Sequence, residues 1–567
     1  MVNQLQNGGG SLDERTPLLP GGGQQDSIMD SQHQHDHSKM EIAHFAPDDP
    51  EDPRNWPRWK KWLMIGPILL IDLSVSWAAS GYSPASHNFA KDMGVSSEVA
   101  TLGLSLYVLG LAFGPMSLYL TAGLPGVFSK LTRSQYFGRR PIYIYSYGIF
   151  LLFLMATALA PSVGVFLVFR IFSGYFASVT IANFGGTIAD LYHAHDTGPA
   201  MSLFLWAATC GSPSGFFLLS FVAQTHGWRT VFWALLGMNG SLWAIMSICL
   251  LICGETRHSI LLAQRVEREH ARGNTSLALP AEMQKRGPRE LFGVALTRPF
   301  RFLATEAIII FAAVYNGYLY GLSFLFNTAF GLVFGTGHGF DTIGVGLSFL
   351  GIAVGISIGP VTNIWQERYY QRKVHEAEGK NVPEARVQMG KVAACSEFSH
   401  LSNPHLSPFP LSPLSPFETP LTKPPPAFPI SLICFAWTTY PSLPAILPII
   451  FSALWGWSFY TLILMSFTYT EDSYKTYSAS ALAGIGLIRN LAGAAFPLFA
   501  RQMFTSLGYQ WAGTVLAAAA LLMVPIPFVL GRYGWRLRKA SKWASAHVDD
   551  DGEGEGAEVV EEEAGQA

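Results

Sequence analysis

The chain has 567 residues, of which 50% are hydrophobic and 13% are charged, and its formal net charge at pH 7 is −2. The apolar residues collect in stretches of roughly 20, the length that crosses a bilayer, which excludes an ordinary water-soluble domain. A net charge this small gives no basis for a nucleic-acid partner. The sequence therefore predicts an all-α integral membrane protein whose partners include the lipid bilayer.

The first 61 residues contain no apolar run of that length. Residues 1–50 are rich in Gly, Gln, His, Asp and Ser, so residues 1–61 are predicted to form a disordered cytoplasmic region. No signal peptide is recognisable, and the first span is expected to direct insertion. Residues 13–19, Asp-Glu-Arg-Thr-Pro-Leu-Leu, have the form of an acidic dileucine sorting signal. The vacuolar membrane is therefore the alternative to the expected cell membrane.

Six apolar runs then predict an N-terminal six-helix bundle over residues 62–253. The runs are 62–82, 99–120, 141–160, 165–188, 201–222 and 231–253. Residues 254–301 follow as a charged cytoplasmic middle loop.

A second group of six runs predicts a C-terminal bundle over residues 302–532. These runs are 302–326, 343–365, 428–440, 444–467, 479–500 and 511–530. The ninth run of the chain is short for a span, and a low-complexity segment, 392–423, precedes it. Residues 533–567 are predicted to be an acidic cytoplasmic tail.

Lys and Arg cluster before the first run, in the middle loop and directly after the last run. The loop at 159–164 contains neither residue type. By the positive-inside rule, both chain ends and the middle loop are cytoplasmic. Two six-helix bundles of this kind enclose a central path, and one chain is expected to act as a monomer.

A set of short motifs accompanies these runs. Gly-Arg-Arg-Pro at 138–141 lies between the second and third runs, and the further motifs are segments 52–57, 170–174, 185–190, 227–229, 254–256, 435–438, 474–477 and 489–499. In combination they resemble the major facilitator superfamily, and more narrowly its fungal twelve-span drug:proton antiporters of the multidrug and polyamine type. The resemblance implies a transporter with a small-molecule substrate and with protons as the coupling ion.

The motif between the second and third runs predicts a cytoplasmic gate made by Gly138, Arg139 and Arg140. Two arginines on a tight turn can hydrogen-bond helix carboxyl ends and carboxylates on neighbouring helices. Such bonds hold the helices together in one conformation and release them in another. In the alternative interpretation, the arginines only set the membrane topology.

The fifth run contains Gly211, Pro213 and Gly215, where antiporters of this branch place a Gly-Pro-x-x-Gly-Pro motif. Here the first proline is displaced by one position and Phe216 replaces the second. Small residues still permit close helix approach and Pro213 still bends the helix, so a packing motif is predicted. The departure favours an uncoupled facilitator or importer as an alternative function.

Ionisable residues inside apolar runs are costly and mark functional sites. Asp72, Arg170, Asp190 and Glu306 are the candidates for proton coupling, and the resemblance assigns that role to the arginine in the fourth run. Helix termination is an equal interpretation for Asp190, as is a boundary position for Glu306. Arg489 could pair across the bundle or only mark the cytoplasmic end of the eleventh run, and the second interpretation is favoured.

Polar and aromatic residues within the runs are the candidates for a substrate cavity, because aromatic faces suit large amphipathic or cationic molecules. They are Tyr107, Asn183, Tyr315, Asn316, Tyr320 and Trp437. The sequence contains no phosphate-binding loop, metal-ligand cluster or nucleophile constellation. No cofactor, no metal and no enzymatic activity are therefore predicted.

Two segments, 118–133 and 392–423, interrupt the pattern of the family as insertions. They suggest the hypothesis of translated retained introns, and a further alternative is then a non-transporting membrane protein, either a sensor or an inactive product. The leading prediction is proton-coupled efflux of a small organic compound, such as a drug, toxin or secondary metabolite, by alternating access.

Overall fold

The computed structural model describes eight stretches of the chain. They are residues 41–46, 48–117, 138–192, 196–273, 277–279, 288–377, 380–394 and 427–544. The insertion at 118–133 lies outside the described residues, as do positions 395–423 of the second insertion.

Ten helices in the described stretches are long and apolar enough to cross a bilayer. One of them, Gly198–Cys253, has 56 residues. Its length, about 84 Å, far exceeds the roughly 30 Å of bilayer hydrocarbon. The backbone leaves helical geometry at Gly227, with φ 73° and ψ 173°, so this helix makes two crossings. The short apolar helix Ala427–Trp437 completes a set of twelve.

We number these crossings as spans 1 to 12. Spans 1 to 4 are Arg58–Ser80, Ser97–Ser117, Arg139–Ala158 and Val163–Leu191, and spans 5 and 6 are the two parts of Gly198–Cys253. Spans 7 to 12 are Ala307–Phe330, Thr342–Glu376, Ala427–Trp437, Ile446–Tyr474, Ser478–Leu507 and Tyr509–Lys539. Shorter helices are Ser86–Met93, His258–Ala271, Pro288–Thr305 and Gln388–Ala394. The predicted all-α membrane fold with twelve helices is confirmed.

The structured region is longer at both ends than the sequence predicts. Some residues for which the sequence predicts disorder are structured. They form a 3-10 turn, Pro53–Asn55, and the start of span 1. Asp52 caps that turn by accepting a hydrogen bond from the backbone N–H of Arg54 at 2.9 Å. Span 12 continues to Lys539, where the tail was expected from residue 533, because Arg538 binds the Glu384 carboxylate at 2.6 Å.

The chain divides into two compact units, residues 1–44 with 262–284 and residues 45–261 with 285–567. In the described part of the first unit, strands Glu41–Ile42 and Leu277–Ala278 pair in parallel. All twelve spans lie in the second unit. We call the membrane face at which span 1 begins the inner end, since it is the predicted cytoplasmic side, and the opposite face the outer end.

Spans 2 and 4 cross with their backbones in direct contact. A Cβ atom on Gly174 would lie 2.0 Å from the carbonyl oxygen of Tyr107, and one on Gly110 would lie 2.2 Å from that of Ile171. Close approach of this kind gives packing energy between helices in a bilayer. The crossing also determines where Arg170 of span 4 meets Tyr107 of span 2.

The two bundles contact each other along two seams. On one side, span 5 follows span 8 from the inner to the outer end. Its contacts are Gly198 with Glu367, Trp206 Nε1 donating to Ser357 Oγ at 3.1 Å, and Gln224 Nε2 donating to Asp341 Oδ2 at 3.0 Å. On the other side, Asn490 of span 11 donates to the carbonyl oxygen of Leu111 in span 2 at 3.3 Å.

The outer contact of the first seam depends on the Asp341 carboxylate. The backbone N–H of Gly344 donates to Asp341 Oδ1 at 2.7 Å, and this bond, with the one from Gln224, holds the pKa of Asp341 below its ordinary value. A lowered pKa means that the contact is present at neutral pH. The contact weakens only as the pH falls below the usual aspartate range.

Replacing Gly174 by Ala is expected to destabilise the protein by about 1–3 kcal/mol, because the new methyl group collides with a backbone oxygen. Gly185→Ala is the matched control, since Gly185 lies in the same span and its Cβ would meet no atom within 4 Å. Thermal unfolding of the purified proteins in detergent measures the difference. Equal midpoints for the two variants would contradict the close crossing.

Candidate transport site

The predicted gate is an ion-pair cluster at the inner end of the N-terminal bundle. Arg139 Nε donates to Asp190 Oδ2 at 2.7 Å, and Arg139 Nη1 donates to Asn183 Oδ1 at 2.8 Å. The backbone N–H of Arg139 donates to Glu255 Oε1 at 2.8 Å, and that of Arg140 to Glu255 Oε2 at 3.3 Å. Glu255 and Asp190 therefore join spans 3, 4 and 6.

Gly138 allows this cluster to form. Its φ is 83°, and a Cβ atom there would lie 1.9 Å from Glu255 Oε2, so both the backbone conformation and the available space require glycine. The cluster extends through His258, whose Nε2 lies 3.0 Å from Asp52 Oδ1 and whose Nδ1 lies 3.8 Å from Asp190 Oδ1.

The C-terminal bundle has a second ion-pair cluster at the same end. Arg386 Nε donates to Asp472 Oδ2 at 2.8 Å and Arg386 Nη1 to Glu367 Oε2 at 2.6 Å, and its guanidinium lies 3.3 Å from the Tyr370 ring centroid. Burial alone lowers the pKa of Arg386, but the two carboxylates raise it above its ordinary value. Glu367 also lies against Gly198, the first residue of span 5, so this cluster touches both bundles.

Sequence analysis did not identify the cluster around Arg386, although the sequence contains a signal for it. Arg386 follows span 8 as Arg139 follows span 2, and Asp472 lies at the end of span 10 as Asp190 does in span 4. Bundles related by an internal repeat place equivalent residues six spans apart. Applying that offset to Arg139 and Asp190 would have predicted the second cluster.

Glu306 lies at the inner end, immediately before span 7, and is buried. Its Oε2 accepts hydrogen bonds from the hydroxyls of Tyr474 at 2.8 Å and Ser541 at 2.5 Å. Ser541 in turn accepts from the backbone N–H of Trp543, which is buried in the same place. Glu306 therefore holds the residues after span 12 against the ends of spans 7 and 10.

Asp72 is fully buried in the middle of span 1. Within the described residues neither carboxylate oxygen has a partner in hydrogen-bond geometry, although the Thr180 side chain lies near. The Thr180 hydroxyl instead donates a hydrogen bond to the carbonyl oxygen of Ala177 at 2.9 Å. Tyr147 is close enough to Asp72 for an electrostatic interaction, but its hydroxyl donates to Asn239 Oδ1 at 2.6 Å. The carboxyl group is thus surrounded by polar groups that bond elsewhere.

Arg170 is also fully buried, but each of its three guanidinium nitrogens has an acceptor. It donates to three backbone carbonyl oxygens, those of Gly103 at 2.6 Å, Ala78 at 3.0 Å and Ala79 at 3.4 Å. The guanidinium carbon lies 4.5 Å from the ring centroid of Tyr107. Arg170 therefore ties spans 1, 2 and 4 together near their outer half.

Arg489 lies near the middle of span 11 and is buried, with 8% of its surface exposed. This corrects the interpretation that it marks the end of the helix. Its guanidinium carbon lies 4.7 Å from the ring centroid of Tyr320 and 5.4 Å from that of Phe467. Tyr107 is close enough to Tyr320 for an electrostatic interaction between the two side chains. We call Tyr107, Tyr320, Phe467 and Arg489 the central cluster.

The other predicted cavity residues have separate positions. Asn183 belongs to the Arg139 cluster. Asn316 donates to Ser466 at 2.6 Å, and its neighbour Tyr315 is buried. Trp437 is the last residue of span 9 and is 42% exposed. Its indole N–H donates to Thr514 of span 12, away from the central cluster.

The predicted packing motif joins spans 1 and 5. A Cβ on Gly211 would lie 2.3 Å from that of Ser76, and one on Gly215 would lie 2.7 Å from the Trp77 Cα atom. A hydrogen bond adds to this contact, since the Ser80 hydroxyl donates to Ser212 O at 2.6 Å. Pro213 is buried within this contact.

Two six-helix bundles with an ion-pair cluster at the inner end of each and a buried aromatic and charged centre fit the architecture of a secondary transporter. The family model of the Major Facilitator Superfamily matches residues 68–374. The chain belongs to this superfamily and is a multi-span membrane transporter of a small molecule, not an enzyme.

The relatives confirm the resemblance seen in the sequence. The major facilitator-type transporter sorT of Penicillium rubens is 32% identical over 89% of this chain and 88% of its own length. The multidrug transporter mdrA of Aspergillus fumigatus is 30% identical over 83% of this chain and 71% of its own length. The structure of the proton:xylose symporter XylE has a TM-score of 0.51 at 12% identity, covers 85% of this chain and 96% of its own, and shares the fold.

Replacing Arg139 by Lys is expected to lower transport several-fold and to reduce stability by about 1–3 kcal/mol, since Lys cannot bond Asp190 and Asn183 together. Arg140→Lys is the control, because Arg140 bonds Glu255 in the cluster through its backbone N–H, which the substitution keeps. Thermal unfolding and transport assays compare the two variants. Equal effects would mean that the arginines act only through their charge.

Arg386→Gln is expected to cost about 3–5 kcal/mol, because Glu367 and Asp472 lose the cation between them. Adding Asp472→Asn should restore part of this loss by removing one of the two carboxylates. The control is Arg368→Gln at an exposed position in span 8, which precedes Arg386 in the chain. Denaturation of the four proteins measures the effect, and no recovery in the double variant would show that Arg386 acts through packing instead.

Proposed function

We propose that this transporter exports a small organic compound in exchange for protons by alternating access, and that it acts as a monomer in the cell membrane. Relatives support export: the chain is 33% identical to the efflux pump atB of Aspergillus terreus over 73% of its own length and 81% of the relative. Both bundles and both seams come from one chain, which supports a monomer.

The observation that carries proton coupling is Asp72. A charged carboxylate buried without a hydrogen-bond donor is far more costly than the neutral acid. The closed arrangement therefore holds Asp72 with its proton bound. When the inner end opens, water reaches span 1, the carboxyl group releases its proton to the cytoplasm and the cargo enters. When the outer end opens, the cargo leaves and the carboxylate binds a proton from outside.

The remaining candidates have positioning roles in this cycle. Asp190 and Arg139 hold spans 3 and 4 together at the inner end, Arg170 fixes spans 1, 2 and 4, and Glu306 fixes the segment after span 12. Opening of the inner end separates Gly198 from Glu367 across the seam. The cluster around Arg386 therefore acts as the part of the gate that joins the bundles.

Asp72→Asn is expected to reduce the rate of proton-driven export at least tenfold. It should cost little stability, because asparagine resembles the neutral acid in size and charge. Glu306→Gln is the comparison, since a Gln carbonyl oxygen still accepts bonds from Tyr474 and Ser541. Export is measured with a panel of labelled drugs and metabolites in a pump-deficient fungal strain, with and without a protonophore.

A version lacking residues 118–133 and 395–423 is assayed beside the full chain as a test of the insertions. Protonophore-sensitive export that persists in Asp72→Asn and disappears in Glu306→Gln would assign the proton to Glu306. Export that no protonophore changes would favour the uncoupled facilitator.

A further inference from the structure

The two arginines buried within the spans have opposite bonding states. Arg170 donates to three carbonyl oxygens and so needs no further partner. Arg489 has no hydrogen bond or ion pair to any described residue, and its Nε atom is buried without an acceptor. A guanidinium ion carries five N–H donors and stays charged, so burial without an acceptor is costly.

The walls around Arg489 are aromatic. Tyr320 of span 7 and Phe467 of span 10 face its guanidinium, and Tyr107 of span 2 lies beside Tyr320. Ring faces contribute a modest cation–π attraction, but they supply no acceptor for the N–H groups. The position also lies between the bundles, because span 2 belongs to the N-terminal bundle and spans 7, 10 and 11 to the C-terminal one.

The geometry points to an organic anion as the cargo, with a carboxylate or equivalent acidic group bound by Arg489 and an aromatic or apolar body packed on Tyr107, Tyr320 and Phe467. This inference rests on the proposed export function and names its substrate class. Arginine binds a carboxylate through two parallel N–H···O bonds, which would satisfy donors for which no described residue supplies an acceptor. It changes the sequence-based expectation, in which the aromatic residues suit cationic molecules.

A binding role and a structural role for Arg489 predict opposite effects of one substitution. Arg489→Gln removes a buried unpaired charge and should leave the thermal unfolding midpoint of the cargo-free protein unchanged or raised. Arg170→Gln should lower it, because three carbonyl oxygens lose their donors. Arg501→Gln, at an exposed position of the same span, is the control for the change of charge.

Cargo preference is measured with one matched pair of probes, tritiated 2-naphthoate and the neutral 2-naphthamide, bound to the purified full chain in nanodiscs at pH 7. The wild-type protein is expected to bind the anion at least tenfold more tightly than the amide. Arg489→Gln should abolish this preference, Arg489→Lys should keep part of it, and Arg501→Gln should leave it intact.

Equal binding of the two probes by the wild-type protein, or no binding of naphthoate, overturns the inference. So does an acid preference that survives in Arg489→Gln. Failure of the proposed export function is recognised separately, because that test uses Asp72→Asn and the protonophore and does not depend on the charge of the cargo.

Discussion

A charge inside a membrane protein has to be neutralised or solvated by the protein itself, because the bilayer supplies neither counter-ions nor water. This constraint separates the buried ionisable groups of the present transporter into two kinds. Arg139, Arg386 and Arg170 are saturated by carboxylates or carbonyl oxygens. Both carboxylate oxygens of Asp72 and the Nε atom of Arg489 have no hydrogen-bond partner among the described residues. The bonded groups join the spans to one another, and the other two are the groups to which the proposed cycle assigns the proton and the cargo.

The two ion-pair clusters show how the internal repeat is used. Each bundle has an arginine after its second span and an aspartate at the end of its fourth span, which gives one cluster for each bundle. The clusters differ in what they touch, because Glu367 reaches span 5 of the other bundle while Glu255 stays within its own. The cluster of the N-terminal bundle therefore stabilises that bundle internally. The equivalent cluster of the C-terminal bundle also contacts the N-terminal bundle.

Sequence alone predicted the twelve spans and most of their boundaries, because apolar runs of membrane length are a strong local signal. It also predicted that Arg139 can bind carboxylates on neighbouring helices, because the arginine lies on a glycine turn between two spans, although a role in setting the topology was an alternative. It failed for Arg489, because position along an apolar run does not show which face of the helix is buried. It could not show that Arg170 has hydrogen-bond partners while Asp72 has none among the described residues. Backbone partners such as the carbonyl oxygen of Gly103 leave no pattern in the sequence.

The insertion at 118–133 and the one at 392–423 fall in the equivalent loops of the two repeats, after span 2 and after span 8. In both cases the arginine of an ion-pair cluster lies close to the insertion along the chain. Arg139 lies six positions after the end of the first insertion, and Arg386 lies six positions before the start of the second, whose first residues belong to the short helix Gln388–Ala394. The two clusters are thus formed by residues near the ends of these segments.

The organic anion proposed to bind Arg489 has a consequence for the energy source of transport. Where a cell keeps its interior electrically negative, moving one elementary charge through 100 mV is worth about 2.3 kcal/mol. An anion leaving the cell and a proton entering it both move in the direction that this voltage favours. An exporter with Asp72 and Arg489 in these roles is therefore electrogenic, and the membrane potential would drive it even where the pH difference across the membrane is small.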